Sequence, residues 1–292
     1  MGFLKALFGG KEESPEEKQQ ADEARNFDMF KFDGVKAAKM GQWEYAIKCY
    51  KEALKLKEDL EIRDYLATAL MHNNELLPAY EQLQKLSEAQ PDNAAIWKQM
   101  AQVAYMMEDY GAMSSACEKA MLLMPEDANI HYLYAEACLG QEDLVNAIAM
   151  LTKTITLDPK LADAYLLRGK TLLKMGDING ASEDSEQLIA DYPDQEDVLL
   201  FHARVLTAQG KKKEAVTEYG RVIDVNPFCI EAFKERGQLY YDLGDTKNAE
   251  DDVQKVLELN PDQLKDVSGD YSAEGIEQKV KSAYSNINPM GL

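Results

Sequence analysis

The chain has 292 residues, 46% of them apolar, and a formal net charge of −20 from 52 acidic and 32 basic residues. Because nucleic acid and anionic membranes would be repelled by so acidic a surface, neither is expected as the main partner. The four cysteines form no C-x-x-C pair, so neither a disulfide framework nor a zinc site is expected. With no secretory signal and no run long enough to span a membrane, the sequence predicts a cytoplasmic protein without a metal or other cofactor.

The chain begins with the short apolar segment "MGFLKALF", which is followed by two glycines. Leu4, Leu7 and Phe8 fall on one helical face, but eight residues cannot hold a helix alone in water. We therefore interpret residues 1–13 as a flexible amphipathic leader. Two hypotheses are open for it: it has no role, or it docks on a membrane surface or in the groove of a partner. Membrane contact is expected, if at all, only through residues 1–8.

A helix start follows at "SPEEK". Ser14 is a cap residue, Pro15 suits the first turn, and Glu17 stands three residues after the serine, as in a capping box. The pattern predicts a helix from about Pro15 to Met40. Its first half, residues 14–26, has few apolar residues and is interpreted as an extension of the first repeat.

Prolines recur at a constant spacing of 34 residues, which indicates an internal repeat. They are Pro91, Pro125, Pro159, Pro193, Pro227 and Pro261. Small residues, mostly alanine and glycine, recur in the same register at two further places, and one earlier copy fits with a slip of one residue. The sequence thus contains seven copies, which start near residues 27, 60, 94, 128, 162, 196 and 230. The places of each copy are numbered below from its first residue.

Each copy has the pattern of two helices. In the copy that starts at residue 162, apolar or small residues recur at helical spacing until Gly176 and Asp177 break the pattern, and a second helical run ends at Tyr192. The proline that follows cannot continue the second helix. Small residues at the eighth and twentieth places let the two helices cross closely. The sequence therefore predicts an array of helix–turn–helix units over residues 14–263.

This pattern resembles the tetratricopeptide repeat family. The last copy, "AFKERGQLYYDLGDTKNAEDDVQKVLELNP", has an aromatic residue at the fourth place, a small one at the eighth, Gly-Asp at the turn, alanine at the twentieth and proline at the thirty-second. The departures are local: Asn74, Glu108 and Glu142 replace the turn glycine, and Met113 replaces an alanine. The resemblance implies an all-α, right-handed superhelical solenoid of seven tetratricopeptide helix–turn–helix repeats.

Residues 264–292 are predicted to form a capping helix and a short tail. Ser272 is a candidate cap, and Ile276, Val280 and Tyr284 form one helical stripe. Solenoids need such an element because the last repeat otherwise leaves an apolar face exposed. We therefore expect this helix to cover the end of the array.

The sequence argues against an enzyme. The chain has none of the phosphate-binding, dinucleotide-binding, nucleophile-elbow or H-E-x-x-H motifs. Its three histidines, His72, His131 and His202, have no second histidine or cysteine at metal-ligand spacing. The sequence therefore predicts neither a catalytic residue nor a metal ligand.

In the family that the sequence resembles, the first helix of each copy lines an inner groove. The resemblance implies a partner-binding site at the fifth, ninth and twelfth places. The residues at these places, with Phe201 beside them, are Lys31, Lys98, Gln102, Tyr105, Tyr132, Glu136, Leu166, Lys170, Leu200, Arg204, Lys234, Gln238 and Tyr241. Basic residues outnumber acidic ones at the fifth and ninth places, which suits an extended or helical peptide that bears carboxylates.

A simpler interpretation is that lysine and arginine are good helix formers on an exposed face. The groove hypothesis predicts that Lys98→Glu together with Arg204→Glu abolishes partner binding and leaves the melting temperature unchanged. The sequence is interpreted as a non-catalytic protein–protein interaction scaffold or adaptor that binds a protein or peptide. The alternative is a membrane-associated assembly factor tethered through "MGFLKALF", and the sequence does not define the oligomeric state.

Overall fold

The computed structural model describes residues 14–260, and every regular element in that range is an α-helix. The helices of these residues are α1 (Pro15–Lys39), α2 (Trp43–Leu56), α3 (Leu60–His72), α4 (Leu76–Ala89), α5 (Ala94–Met106), α6 (Tyr110–Leu123), α7 (Ala128–Gly140), α8 (Leu144–Leu157), α9 (Ala162–Lys174), α10 (Ile178–Asp191), α11 (Glu196–Ala208), α12 (Lys212–Val225), α13 (Ile230–Asp242) and α14 (Thr246–Leu259). The predicted all-α fold of paired helices is confirmed. The leader (residues 1–13) and the predicted capping helix and tail (residues 264–292) lie outside the described residues.

The chain divides into two compact units, residues 1–142 and residues 143–292. Unit 1 contains α1 to α7 and unit 2 contains α8 to α14. Within each unit, consecutive helices pack on one another. Because the division falls in the turn of the fourth copy, unit 1 ends on the first helix of that copy and unit 2 begins on its second helix.

A capping box starts the first helix. The Ser14 hydroxyl accepts a hydrogen bond from the Glu17 backbone N–H at 3.2 Å, and the Glu17 carboxylate accepts one from the Ser14 N–H at 2.7 Å. These two bonds satisfy backbone donors that have no partner inside the helix. The first buried residue of α1 is Phe27, so the helix extends well beyond the part that packs on its neighbours.

The turns between the two helices of a copy use the left-handed backbone conformation. In four turns a glycine takes it: Gly41 (φ 70°), Gly176 (81°), Gly210 (76°) and Gly244 (81°). In the other three turns a residue with a Cβ takes it: Asn74 (60°), Glu108 (56°) and Glu142 (60°). The departures from the glycine pattern therefore keep the shape of the turn and accept strain of roughly 1–2 kcal/mol each.

The residues at the twentieth place lie at the centre of the helix pairs, and all but Met113 are alanines. The residues there, all fully buried, are Ala46, Ala79, Met113, Ala147, Ala181, Ala215 and Ala249. In unit 1 they belong to one continuous apolar core that reaches from Phe27 to Ala137. In unit 2 the apolar core is divided into two clusters, one around Tyr219 and one around Phe201.

Among residues 14–260, no helix has the length and apolar character needed to cross a membrane. The same residues contain no group of histidine, cysteine, aspartate and glutamate placed to hold a metal ion. The four cysteines are buried free thiols. Burial raises the pKa of Cys117 to about 12 and that of Cys229 to about 11, so both thiols stay protonated and serve as packing groups.

Candidate interaction surface

All the predicted binding residues lie on the first helix of a copy, but they are divided between the two units. Unit 1 carries Lys31 on α1, Lys98, Gln102 and Tyr105 on α5, and Tyr132 and Glu136 on α7. Unit 2 carries Leu166 and Lys170 on α9, Leu200, Phe201 and Arg204 on α11, and Lys234, Gln238 and Tyr241 on α13. In unit 2 they lie on three successive first helices, whereas in unit 1 the first helix α3 separates α1 from α5.

The first predicted cation of unit 1 is already neutralised within the protein. Lys31 Nζ lies 2.5 Å from Glu61 Oε2 on α3, and the same carboxylate accepts a hydrogen bond from the Tyr65 hydroxyl at 2.6 Å. The bond to Glu61 raises the pKa of Lys31, and the bond from Lys31 lowers the pKa of Glu61. Lys31 therefore joins α1 to α3.

Lys98 also has a carboxylate partner, in the residue that caps the first helix of the next copy. Its Nζ lies 2.9 Å from Asp127 Oδ2, and Asp127 caps α7 by accepting hydrogen bonds from the Asn129 and Ile130 N–H groups. Burial acts to raise the pKa of Asp127, but the bond from Lys98 and the backbone donors outweigh it and lower that pKa. Lys98 thus supports the start of α7.

The remaining predicted residues of unit 1 include few charged groups. Gln102 and Tyr105 are exposed on α5, whereas Tyr132 and Glu136 are half-buried on α7 and take part in polar interactions. Burial raises the pKa of the nearby Asp64 on α3. On this surface of unit 1, both predicted cations, Lys31 and Lys98, are paired with carboxylates.

Arg204 of unit 2 forms the most extensive ion pair of the predicted set. Its Nε lies 3.0 Å from both oxygens of Glu235, its Nη2 lies 2.5 Å from Oε1, and the Tyr219 hydroxyl donates to the same carboxylate at 2.6 Å. Burial disfavours the charge on Arg204, but Glu235 more than compensates and raises the pKa. The pair links α11 to α13, with α12 joined through Tyr219.

Phe201 does not belong to the surface, and its prediction as a partner-binding residue was wrong. The side chain is 0% exposed and packs in the unit 2 core with Leu173 and Leu188. Its ring lies directly against Gly169, where an added Cβ would overlap the ring. Although Phe201 follows Leu200 in the chain, one residue of helix turns the side chain by about 100°, and this turn directs it toward α9.

Two predicted cations of unit 2 have no hydrogen bond or ion pair to any residue between 14 and 260. They are Lys170, which is exposed on α9, and Lys234, which is half-buried on α13. Desolvation lowers the pKa of Lys170 below its ordinary 10.5, Asp197 raises it and Arg204 lowers it further. Water thus reaches the Lys170 ammonium group, and neighbouring protein atoms desolvate it in part.

These residues define the A-face of unit 2: Leu166, Lys170, Leu200, Arg204, Lys234, Gln238 and Tyr241. Leu166 and Leu200 are half-buried and supply apolar area between the cations. Gln238 donates a hydrogen bond to Asp242 at 3.0 Å. The A-face thus combines apolar contact area with two lysines that form no ion pair among residues 14–260.

Sequence reasoning missed two buried ion pairs of unit 2. Arg168 holds Asp184 with bonds of 2.6 and 3.0 Å, and Arg236 holds Asp252 with bonds of 2.7 and 2.9 Å. The carboxylates belong to the most buried residues of the unit, at 2% and 3% exposure. The signal that could have revealed them is positional, because Arg and Asp occupy the same places, seventh and twenty-third, in copies five and seven.

Comparison with known proteins identifies the family. Two family models, each described as tetratricopeptide repeat, match residues 166–223 and 230–263. The chain is a tetratricopeptide repeat protein. No curated protein sequence matches it significantly.

Solved structures of other proteins share the fold at low identity. A tetratricopeptide repeat protein from Parabacteroides merdae is 14% identical, with a TM-score of 0.65 over 89% of this chain and 99% of that one. PilW, described as a type IV pilus biogenesis factor, is 16% identical, with a TM-score of 0.61 over 77% and 99%. YrrB, described as having an unusual peptide-binding site, is 16% identical, with a TM-score of 0.54 over 68% and 97%.

The family sets the broad class of activity. Tetratricopeptide repeat proteins generally mediate protein–protein interaction, and the fold is typically a non-catalytic interaction scaffold. Their partners are proteins or peptides. At these identities, the likeness to the solved structures extends to the fold alone.

Proposed function

We propose that this tetratricopeptide repeat protein is a non-catalytic scaffold or adaptor that holds a carboxylate-bearing segment of a protein partner on the A-face of unit 2. The observation that carries the proposal is that Lys170 on α9 and Lys234 on α13, the first helices on either side of α11, have no ion pair among residues 14–260. In a chain with a net charge of −20, two lysines without a hydrogen bond or ion pair among residues 14–260 are able to interact with an external anion.

Lys170 contributes most because its charge is already desolvated. A carboxylate that binds Lys170 replaces lost hydration with a charge-assisted hydrogen bond, which is stronger than one between neutral groups. The nearby Arg204 adds positive potential although Glu235 holds its guanidinium. An extended or helical peptide then gains apolar contact on Leu166 and Leu200, which lie on the same helices.

Unit 1 is a weaker candidate for an acidic ligand. Its predicted cations, Lys31 and Lys98, are held by Glu61 and Asp127. An incoming carboxylate would have to displace an existing one, so little net interaction would be gained. The description of YrrB, which names a peptide-binding site in a similar fold, agrees with a peptide as the type of ligand.

The test is affinity capture from a lysate of the source cell, read by mass spectrometry. The baits are the full chain, a Lys170→Glu/Lys234→Glu variant and a matched Lys213→Glu/Lys247→Glu control. The control pair is exposed on α12 and α14 and makes the same change in net charge. We expect a partner that the full chain and the control retain and the A-face variant loses.

The captured partner then supplies the peptide for a direct measurement. Replacing the aspartates and glutamates of its bound segment by asparagine and glutamine should raise the dissociation constant by about tenfold or more, which corresponds to about 1.4 kcal/mol. Circular dichroism and thermal melting establish that the variants are folded. A partner that the A-face variant retains as well as the control does would show that binding occurs on another surface.

A further inference from the structure

The second helix of the third copy ends in a run of exposed apolar residues. Leu122 is 78% exposed, Leu123 36% and Met124 44%, and the exposed Pro125 follows them. A run of three or four exposed apolar residues promotes aggregation and is tolerated where it serves a function. The run therefore requires an explanation other than the packing of its own copy.

The repeat itself does not require these side chains. Leu122, Leu123 and Met124 stand at the twenty-ninth, thirtieth and thirty-first places of their copy. In copies two, four, five, six and seven, one of these places holds an acidic residue: Glu88, Asp158, Asp191, Asp224 and Glu258. Those copies form second helices of the same length. Since the fold accepts a carboxylate here, the apolar run is a property of copy three alone among these six copies.

Leu123 and Met124 line a cleft of unit 1 together with residues 89–95, which join α4 to α5. We call it the copy-three cleft. Its volume is about 770 Å³, within the range of roughly 300–1,000 Å³ that is usual for ligand sites. The other apolar residues that line it are Ala89, Pro91, Ala94 and Ala95. The cleft thus continues the exposed apolar run across the neighbouring loop.

The loop that lines the cleft is held by its own hydrogen bonds. Asn93 Nδ2 donates to Gln90 Oε1 at 2.9 Å, and Asn93 Oδ1 accepts from the Ala95 N–H at 3.2 Å, which caps α5. The Trp97 indole N–H donates to the Pro91 carbonyl at 2.8 Å. Because these bonds already order the loop, a ligand does not have to order it on binding.

The charges next to the cleft are negative. Glu88 stands at the end of α4 and Asp92 lines the cleft. Both are exposed, and their side chains form no hydrogen bond or ion pair among residues 14–260. Glu126, in the loop after Met124, is also exposed and takes part in a polar interaction. Glu88 and Asp92 are therefore the two carboxylates that an external cation can reach.

The lysines of the same three helices do not neutralise this rim. Lys85 on α4 and Lys119 on α6 each stand four residues before the end of their helix, about 6 Å back along its axis. Lys98 on α5 is held by Asp127. The copy-three cleft therefore combines apolar side chains with exposed carboxylates.

We propose that the copy-three cleft binds a basic amphipathic helix of a protein partner. Apolar residues three and four apart on such a helix pack on Leu122, Leu123 and Met124. Lysines or arginines beside that apolar face form charge-assisted hydrogen bonds with Glu88 and Asp92. The site lies on unit 1 and does not depend on the A-face of unit 2, and the charge of its ligand is the opposite.

Two other occupants of the cleft are less favourable. A second copy of the chain has a net charge of −20, so the carboxylates beside the cleft repel it as a whole. Anionic lipid headgroups are repelled for the same reason. A helix that carries lysine or arginine is therefore the occupant that the charges favour.

Fluorescence anisotropy with a labelled synthetic peptide tests the proposal on the full chain. The probe is a helical peptide of about 18 residues with leucines on one face and lysines on the other. We expect Leu122→Gln/Met124→Gln to raise its Kd at least about tenfold at about 0.15 M salt, where distant charges are screened. The matched control is Leu77→Gln/Met40→Gln, which changes one exposed leucine and one exposed methionine elsewhere on unit 1. It should leave the Kd within about twofold.

A second pair of variants tests the carboxylates. Glu88→Gln/Asp92→Asn should raise the Kd of the leucine–lysine peptide about threefold or more, and this effect should shrink as the salt concentration rises. Glu44→Gln/Asp28→Asn makes the same change in charge at exposed residues of α2 and α1 and is the control. Circular dichroism and thermal melting establish that all the variants are folded.

Four results would overturn the proposal. Equal Kd values for Leu122→Gln/Met124→Gln and its control would show that the peptide binds the acidic surface at large. Equal affinity for a peptide with glutamate in place of lysine would remove the role of charge. A dimer in analytical ultracentrifugation that the cleft variant disrupts would assign the cleft to a second copy of the chain. Flotation with neutral phosphatidylcholine vesicles that the cleft variant loses would assign it to a lipid surface.

Discussion

Units 1 and 2 are built from the same two-helix copy, yet they distribute their charges in opposite ways. In unit 1 the seventh places of copies two and three are Leu66 and Met100, and they belong to a continuous apolar core. In unit 2 the equivalent places of copies five and seven are Arg168 and Arg236, each paired with a buried aspartate. One helix-pair geometry therefore accepts either an apolar seam or an ionic one.

At the predicted groove cations the contrast is reversed, because there unit 1 has the larger share of ion pairs. Unit 1 joins its predicted groove cations to carboxylates, so that Lys31 and Lys98 hold helices together. Unit 2 joins Arg204 in this way but leaves Lys170 and Lys234 without such a partner among residues 14–260. A buried ion pair is weak evidence for stability, whereas a lysine without an ion pair is available for a ligand. The contrast assigns a structural role to most cations and a candidate binding role to two.

The largest effect is expected from breaking an ionic seam in unit 2. Asp184→Ala leaves Arg168, whose side chain is only 20% exposed, without its carboxylate. Loss of one partner of a buried pair costs about 3–5 kcal/mol. Urea unfolding followed by circular dichroism measures this loss. The double variant Arg168→Met/Asp184→Leu removes both charges. We expect its free energy of unfolding to lie within about 1 kcal/mol of that of the original chain. A double variant as unstable as the single one would show that the seam requires the ion pair.

A smaller loss is expected at Arg204, which sequence reasoning treated as a free groove cation. Arg204→Met leaves Glu235 with only the Tyr219 hydroxyl, and we expect a cost of about 1.5–3 kcal/mol, the value of hydrogen bonds to a charged group. Lys234→Met on the neighbouring helix is the matched control and should change stability by less than about 0.5 kcal/mol. The same denaturation experiment compares them. Equal effects at the two positions would remove the distinction between paired and unpaired cations. It follows that a Lys98→Glu/Arg204→Glu variant would confound a lost binding site with a destabilised fold.

The sequence predicts the helices far better than it predicts the surface. Spacing of 34 residues, turn glycines and small residues at two places all act locally, and together they define two helices per copy. Even the turns without glycine keep the left-handed conformation at Glu108 and Glu142. These features need no knowledge of which side chains meet across copies.

The partners of Lys98 and Arg204 depend on such knowledge. Each carboxylate lies about thirty residues further along, at or just after the start of the next first helix, and the chain offers many acids at similar separations. A count of charges along a helix face cannot divide them into paired and free groups, because pairing depends on side-chain reach and helix offset. The prediction that Phe201 lies on the surface was wrong for a related reason, because residues adjacent in the chain face different sides of a helix.

The turns provide a further comparison between the units, with an expected effect near 1 kcal/mol. The turns of unit 2 described above use glycine, whereas Glu108 of unit 1 has φ 56°. Glu108→Gly should stabilise unit 1 by up to about 1 kcal/mol because it removes strain at the left-handed position. Gly210→Glu in unit 2 should destabilise by a similar amount. Thermal melting of both variants measures the two changes, and shifts in the same direction would show that the turn conformation does not control them.

The smallest effect on stability is expected at Lys170, together with the largest effect on binding. The pKa of Lys170 is lowered in the folded chain from an ordinary value of 10.5, so the unfolded chain binds more protons there and stability rises as the pH increases toward that value. Lys170→Met removes the desolvated charge and should stabilise the chain by a few tenths of a kcal/mol, because the side chain is exposed and solvent screens its charge. The rise in stability at alkaline pH should be smaller in this variant.

A bound carboxylate has the opposite effect on the same lysine. It favours the ammonium form and raises the pKa of Lys170, so affinity for an acidic peptide should fall as the pH increases through the pKa of the free lysine. Lys170→Met should bind weakly and lose this pH dependence, and Lys213→Met on α12 should behave like the original chain. Fluorescence anisotropy with the acidic peptide of the captured partner measures both. A Lys170→Met variant that keeps full affinity would exclude this lysine from binding, whereas weak binding in a slightly more stable variant would identify it as a residue whose charge serves the ligand rather than the fold.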